Sequence, residues 1–398
     1  MIQITRLPEE VKRFLEPLRA GFSYRHFLVF CWLIMAHLVC FEKATCKALG
    51  RYTPKHVGWW HLGRLLACGR WPWEEVLYWL VTQALAAFPP PCDGVLFLVV
   101  DSTLKGKRAK KNPLAKKGRL NEYAPYTCGL HMVLLIAQWD VYRIPLAFRL
   151  VNPKGSKGYR SENALFREML EEIVLPPWCK IVIVVADAAY ASRANLKAIQ
   201  ARGWFFVIAF PRTWKLANGQ HLRDIVTHLP LLHYRQVRVP LLEPNTRRRT
   251  FWTFAKRTQL RHIGDVTVVF SRRRRNDSPK HTKLLVTNLP LATARMTVAI
   301  YLSRWPVEIC FKELLKSGLG LGQSQVTKDA ARVERSVAVA LMAYLVLLCL
   351  QAKQVKPGTS WSVFALKQKF AWEVGAQQIK RTTQQETMKE IKKLKLAA

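Results

Sequence analysis

This 398-residue chain is expected to be an α/β protein. A core of mixed strands and helices carries a β-rich insertion, with an α-helical N-terminal domain before it and a helical, basic C-terminal tail after it. Three observations predict this. Two short β-branched runs, Val95–Val100 and Ile181–Ala186, are continuous and bounded by Pro and Gly, the pattern of buried strands. Residues 1–92 and 293–351 repeat apolar positions at helical spacing. Residues 237–287 alternate polar and apolar side chains in short runs split by turn residues such as Glu243-Pro244-Asn245.

The N-terminal domain, residues 1–92, ends at Pro89-Pro90-Pro91. Thr53 followed by Pro54 suits a helix start, with Thr as N-cap and Pro in the first turn. A second helix is expected near Trp73-Glu74-Glu75. Two short basic helices joined by a Gly-bearing turn are a candidate helix-turn-helix, with an ordinary bundle as the alternative. Residues 93–210 then give a strand (Val95–Val100), a basic loop, two strands (Gly129–Trp139, Tyr142–Val151) and an amphipathic helix (Glu162–Val174). A buried strand (Lys180–Ala186), a helix (Ala191–Gly203) and a short strand (Trp204–Phe210) follow. Three antiparallel strands, a crossover helix and a fourth strand are the order of a ribonuclease-H-like catalytic core. The insertion, residues 211–292, has strands at Val237–Val239, Arg249–Phe254, Asp265–Phe270 and Lys283–Thr287. Residues 293–351 return to the core with a helix through Tyr301–Lys316, a break at Ser317-Gly318-Leu319-Gly320, and the apolar Val337–Leu350. Residues 352–398 form the basic C-terminal region.

At 50% hydrophobic and with 14 Trp, the chain can bury more than one core. The 9 Cys form no CxxC pair and are odd in number, which fits reduced, mostly buried thiols of an intracellular protein better than a zinc site or a disulfide frame. No signal peptide is visible at Met1. Phe27–Phe41 and Val337–Leu350 fall short of the roughly 20 residues that span a bilayer, so both are expected as buried helices and no membrane partner is expected.

With 63 Lys+Arg against 26 Asp+Glu, the formal net charge is +37, a statement about partners rather than fold. The basic residues cluster. Lys105, Lys107, Arg108, Lys110, Lys111, Lys116, Lys117 and Arg119 share one stretch; Arg247–Arg249, Arg272–Arg275 and a Lys-rich tail from Lys389 to Lys395 follow. Four such runs point to the phosphates of double-stranded DNA, with an anionic membrane surface as runner-up.

Against that background three carboxylates stand out. Asp101 and Asp187 each close a buried strand, where a charge is costly to desolvate unless compensated, and Glu308 lies on a helix. Two at neighbouring strand ends plus a third form an oxygen cage for divalent cations. Singly, each has an ordinary use: Asp101 in a turn, Asp187 as an N-cap, Glu308 paired with Arg304 or Lys312.

The segment Tyr301-Leu302-Ser303-Arg304-Trp305-Pro306-Val307-Glu308 resembles the Y-R-E-K signature of DDE transposases from bacterial insertion sequences, most closely the insertion-sequence-four superfamily. Val99-Val100-Asp101-Ser102-Thr103 resembles that family's first-aspartate box, and Asp187-Ala188-Ala189-Tyr190 its second. The similarity runs over roughly residues 94–350. It departs at the lysine, which the family places seven positions after the glutamate, here Leu315. Lys316 is the closest match, and Lys312, sharing a helical face with Glu308, is the alternative. The resemblance implies cleavage of transposon ends and transfer of the freed 3′-OH into target DNA by a cut-and-paste route, with hairpins as one route of excision. Asp101, Asp187 and Glu308 would hold two Mg²⁺ ions (Mn²⁺ substituting) about 4 Å apart, Asp101 bridging. Tyr301, Arg304 and Lys316 or Lys312 would hold terminal phosphates. Lys105, Lys107, Arg108, Arg273 and Arg274 are further expected DNA contacts. Trp252, Trp214 and Phe251 are candidates to stack a flipped base, with core packing the alternative. Synapsis of two ends implies a homodimer. A DNA-binding protein that has lost catalysis is the second functional reading.

Overall fold

The computed structural model describes residues 4–106, 112–118, 125–240, 248–316, 319–321, 323, 329–356 and 361–397, except the side chains of 315–316 and 389–397. The chain opens with helices α1 (Glu9–Leu15), α2 (Tyr24–Val39), α3 (Cys46–Leu49), α4 (Trp59–Cys68) and α5 (Trp73–Ala86). The helix expected at Thr53 does not form. The Thr53 hydroxyl donates to the carbonyls of Gly50 and Val57, which closes a turn, and α4 begins only after Gly58. The helix expected near Trp73 is α5.

The sheet follows: β1 (Val95–Gly106), β2 (Ala115–Gly118), β3 (Thr127–Trp139) and β4 (Tyr142–Leu150). Helix α6 (Glu162–Glu172) leads to β5 (Ile181–Ala186), and α7 (Arg193–Ala201) to β6 (Phe205–Ala209). Beyond α8 (Leu222–His228) lie β7 (Arg235–Pro240), β8 (Arg248–Leu260), β9 (Gly264–Arg272) and β10 (Lys283–Thr287). These ten strands make one sheet in the order β2-β3-β1-β5-β6-β10-β9-β8-β7, with β4 beside β2 along the outer edge of β3. Strands β1, β5 and β6 are parallel; the other pairings are antiparallel. The insertion strands therefore extend the sheet through the β6–β10 pair.

Two boundaries differ from the sequence expectation in ways that matter. Strand β1 does not stop at Asp101. It runs on to Gly106 because Ser102–Gly106 keep pairing with Gly129–Val133 of β3. Part of the expected basic loop is also strand, since Lys116 and Lys117 lie in β2 against Gly129 and Cys128.

The segment expected as one helix through Tyr301–Lys316 is two: α9 (Ala294–Leu302) and α10 (Trp305–Lys316). Pro306 explains the break. It has no N–H for the Leu302 carbonyl, and its ring crowds the preceding turn. Helix α11 (Ala330–Leu350) is long and apolar enough to cross a membrane, yet 72% of that stretch is buried inside the protein. It packs on α2, α4, α5, α12 (Val363–Ala397) and β4. All nine cysteines are unpaired.

A buried network fixes α10. Glu313 accepts from Arg143 of β4 at 2.7 and 3.1 Å, from the Val363 amide at 3.0 Å and from Tyr344 of α11 at 3.4 Å. The Arg143 guanidinium also lies 3.7 Å from the Trp361 ring centroid. The far end of α10 is held from the N-terminal domain. Nδ1 of His37 donates to the Leu319 carbonyl at 2.9 Å, and Ala44 donates to Gln323 at 2.7 Å. Gly320 between them has φ +80°, and a Cβ there would lie 2.2 Å from Ala44 Cβ, so only glycine fits.

Burial pushes His37 down to about 4, with the Lys367 charge acting the same way and the Leu319 carbonyl opposing. The folded state thus keeps His37 neutral while the unfolded chain protonates it near 6.5. Stability is full above that value and falls as pH drops towards 4, by about 3 kcal/mol. Denaturant titrations at several pH values should show this fall, and His37→Asn should flatten it.

Candidate active site

The β1–β5 register sets the first two carboxylates side by side. Val99 pairs with Val185, so two residues further on Asp101 and Asp187 stand on neighbouring strands spaced about 4.8 Å apart. Asp187 directly follows β5. One of its oxygens accepts from the Ala189 amide at 2.8 Å and caps the turn at Ala188–Tyr190. The N-cap use that sequence leaves open for Asp187 is thus realised, and its second oxygen is uninvolved in that cap. Oδ1 of Asp101 accepts from the Ser102 amide at 2.8 Å.

Glu308, in the first turn of α10, is joined to Asp101 through Arg304. One guanidinium nitrogen donates to Asp101 Oδ2 and another to Glu308 Oε1, each at 2.7 Å. The helix break places Arg304 just ahead of α10, where one planar fork reaches both carboxylates. Burial pushes the Asp101 carboxyl up to about 6. Asp187 and Glu308 push the same way, while Arg304 and the Ser102 amide pull back.

Tyr301 is buried at the end of α9, and its hydroxyl accepts from Lys283 at 3.2 Å. The same ammonium lies 4.7 Å from the Tyr301 ring centroid. Lys312 is exposed and sits 5.6 Å from the Trp305 ring centroid. Lys316 closes α10, but its side chain lies outside the described residues. Lys105 is half-buried on β1, and Lys107 and Arg108 fall outside the described residues. Arg273 and Arg274 are exposed after β9, where the Arg274 amide donates to Asp277 at 2.9 Å. Trp252 is half-buried on β8, with Arg275 5.4 Å from its ring centroid. Strand β8 is the fifth over from β1, about 24 Å along the sheet, so this group stands apart from the carboxylates.

Sequence reasoning missed Lys283, which heads an ordinary strand and carries no motif. It also missed Glu162 in the first turn of α6, 3.3 Å from His131 Nε2 and 4.0 Å from Lys116 Nζ. Tyr190 is 1% exposed and packs edge-on against Phe166, as a packing residue does.

Among the described residues, no three His, Cys, Asp or Glu side chains converge tightly enough to hold a metal ion as they stand; Arg304 lies between two of the carboxylates. The donors nonetheless suit a hard divalent cation. They are all carboxylate oxygens, and burial, with Asp187 and Glu308 adding to it, disfavours the charged form of Asp101, a cost that a bound cation offsets.

The family model described as the transposase DDE domain matches residues 96–346. The chain belongs to that family. The matched span runs from β1 into α11 and includes Asp101, Asp187 and Glu308. Among solved structures, the transposase resembles the cryo-EM structure of a piggyBac transposase synaptic complex with hairpin DNA. The identity is 10% and the TM-score 0.46, over 94% of this chain and 77% of that one. No curated protein sequence matches this transposase.

Arg304 offers a sharp test of this geometry. A lysine has one ammonium where two carboxylates must be bridged. Arg304→Lys and Arg304→Ala are both expected to cut DNA-end cleavage on the order of 10²-fold, with unchanged circular dichroism.

Proposed function

We propose that this transposase cleaves the ends of its element and joins the freed 3′-OH to target DNA, using Asp101, Asp187 and Glu308 as ligands of divalent metal, Mg²⁺ or Mn²⁺. The observation that carries the reading is the β1–β5 register, which sets Asp101 beside Asp187, with Glu308 tied to the same point through Arg304. When bound there, the metal supplies an activated water and stabilises the leaving oxygen. The protein supplies the rest. Two strands and a helix hold the carboxylates in place, half-buried at the sheet's end.

Arg304 is the residue for the scissile phosphate, because its fork fits two phosphate oxygens as well as it fits two carboxylates. Lys283 and Tyr301 lie on the same side and would hold the flanking strand, with Lys312 at the rim. The strand order β4-β3-β1-β5-β6, with β1, β5 and β6 parallel and α6 crossing over, supports a ribonuclease-H-like core. The Tyr301, Arg304 and Glu308 triplet supports the Y-R-E-K signature of the insertion-sequence-four superfamily, with Lys312 or Lys316 as its lysine. Trp252 backed by Arg275 is the candidate stacking platform for a flipped base, one duplex width from the carboxylates. A net charge of +37 supports tight, salt-sensitive DNA binding, and two ends brought together call for two copies of the chain.

The test is Mg²⁺-dependent nicking of duplex DNA carrying the element's terminal repeats. The native chain is expected to nick and expose a 3′-OH. Asp187→Ala is expected to bind the same DNA without nicking it. Binding without cleavage by the native chain, in Mg²⁺ and in Mn²⁺, would leave a DNA-binding protein that has lost catalysis.

A further inference from the structure

Helix α12 seats one face on α2 and α11 and leaves the other open. Val363, Leu366, Phe370 and Val374 are buried at helical spacing. Trp372 lies two residues from both Phe370 and Val374, about 200° round the helix, and is 79% exposed; Ile379, on the same side, is 54% exposed. From Thr382 to Met388 every side chain is exposed. A helix draws most of its stability from packing an apolar face, and among the described residues this stretch has no such cover. The outward seam reads Trp372, Ala376, Ile379, Thr383 and Thr387, spaced three or four apart and uncharged throughout. In a chain with 63 Lys+Arg, a seam without a cation is not built for phosphates. It suits another helix with an apolar face. One flank of the seam carries Glu373 and Lys380, about two turns apart. Glu10 stands near Glu373: burial foremost, and then the Glu373 charge, raise its carboxyl, so this acidic end of the flank gains from a cation.

We propose that this seam joins two copies of the chain, α12 against α12 in antiparallel pairing about a twofold axis beside Ala376. Residues equidistant from such an axis face one another. Trp372 of each copy then lies against Ile379 of the other, and Glu373 against Lys380, so the apolar contact and the charge pair each occur twice. Gly375 and Ala376, the smallest side chains of this stretch, stand where the helices cross and let them approach closely. Parallel pairing would set Glu373 level with Glu373 and Lys380 level with Lys380, like charge beside like. The proposal rests on the end-cleaving reading for its purpose, because two ends call for two copies, but the contact itself needs neither DNA nor metal.

The experiment is sedimentation equilibrium of the full chain in EDTA, without DNA. The native chain is expected to sediment as a dimer. Trp372→Glu and Ile379→Glu should each weaken it on the order of 10²-fold or more, because the seam meets itself and each change counts twice, with circular dichroism unchanged. Glu373→Lys and Lys380→Glu should each weaken the dimer about tenfold. Combining Glu373→Lys with Lys380→Glu should restore it, a rescue that a merely structural role or parallel pairing would not give. A native chain that stays monomeric at about 100 μM, or a dimer that both glutamate substitutions on the seam leave intact, would overturn the proposal. So would a monomer that floats with anionic vesicles until Trp372→Glu abolishes it, which would mark a membrane-facing helix instead. Assembly is read without cleavage, so failure of this contact and failure of the catalytic reading show separately.

Discussion

A buried ion pair away from the carboxylates governs where they meet. Arg143 leaves β4 and grips Glu313, five residues after Glu308 on the same helix. Five residues turn α10 by about 140°, so Glu313 faces inward while Glu308 faces the end of β1. Glu313 also receives the first amide of α12 and the hydroxyl of Tyr344, so four elements share one carboxylate. Breaking such a pair strands a buried charge at a cost of about 3–5 kcal/mol. The pair thus locks α10 in rotation and height, and Arg304 and Glu308 inherit that position. The His37 and Gly320 contacts fix the helix's exit in the same way.

The site above this anchor balances opposing charge. A chain with a large basic excess sets three carboxylates at one point, where burial foremost, with Asp187 and Glu308 adding to it, raises the Asp101 carboxyl. Arg304 offsets that repulsion and is also the side chain best suited to a phosphate. In the proposed reaction, carboxylate spacing and phosphate recognition are coupled through that one guanidinium. The Lys283–Tyr301 contact lies next along the chain, while the arginines around Trp252 are carried to the far part of the sheet.

Much of this was legible in sequence because the strands that carry the aspartates are buried on both faces and read as unbroken β-branched runs. Asp187 stands at its strand end as expected, and β3, β4, β5 and β10 match their expected positions closely. The end of β1 was misjudged because Ser102, Thr103 and Gly106 do not look like strand. Pairing with β3 holds them there, and that long-range cause leaves no local trace. The division of α9 from α10 did have a signal in Pro306, and the helical spacing of Tyr301, Arg304 and Glu308 obscured it. Thr53 had the chemistry of a cap and used it to close a turn. Glu162, Lys283 and His131 sit in unremarkable local sequence, and only the folded sheet brings Glu162 to His131 and Lys283 to Tyr301.

The central claim is that β1, β5 and α10 build one metal-binding point from Asp101, Asp187 and Glu308. Crystals of the chain with end DNA, soaked in Mn²⁺ and measured at the manganese absorption edge, test it most directly. The account predicts anomalous density between these three carboxylates, with Arg304 turned to a phosphate. Cleaved DNA in the crystal with manganese bound elsewhere and Arg304 still on Asp101 and Glu308 would contradict it.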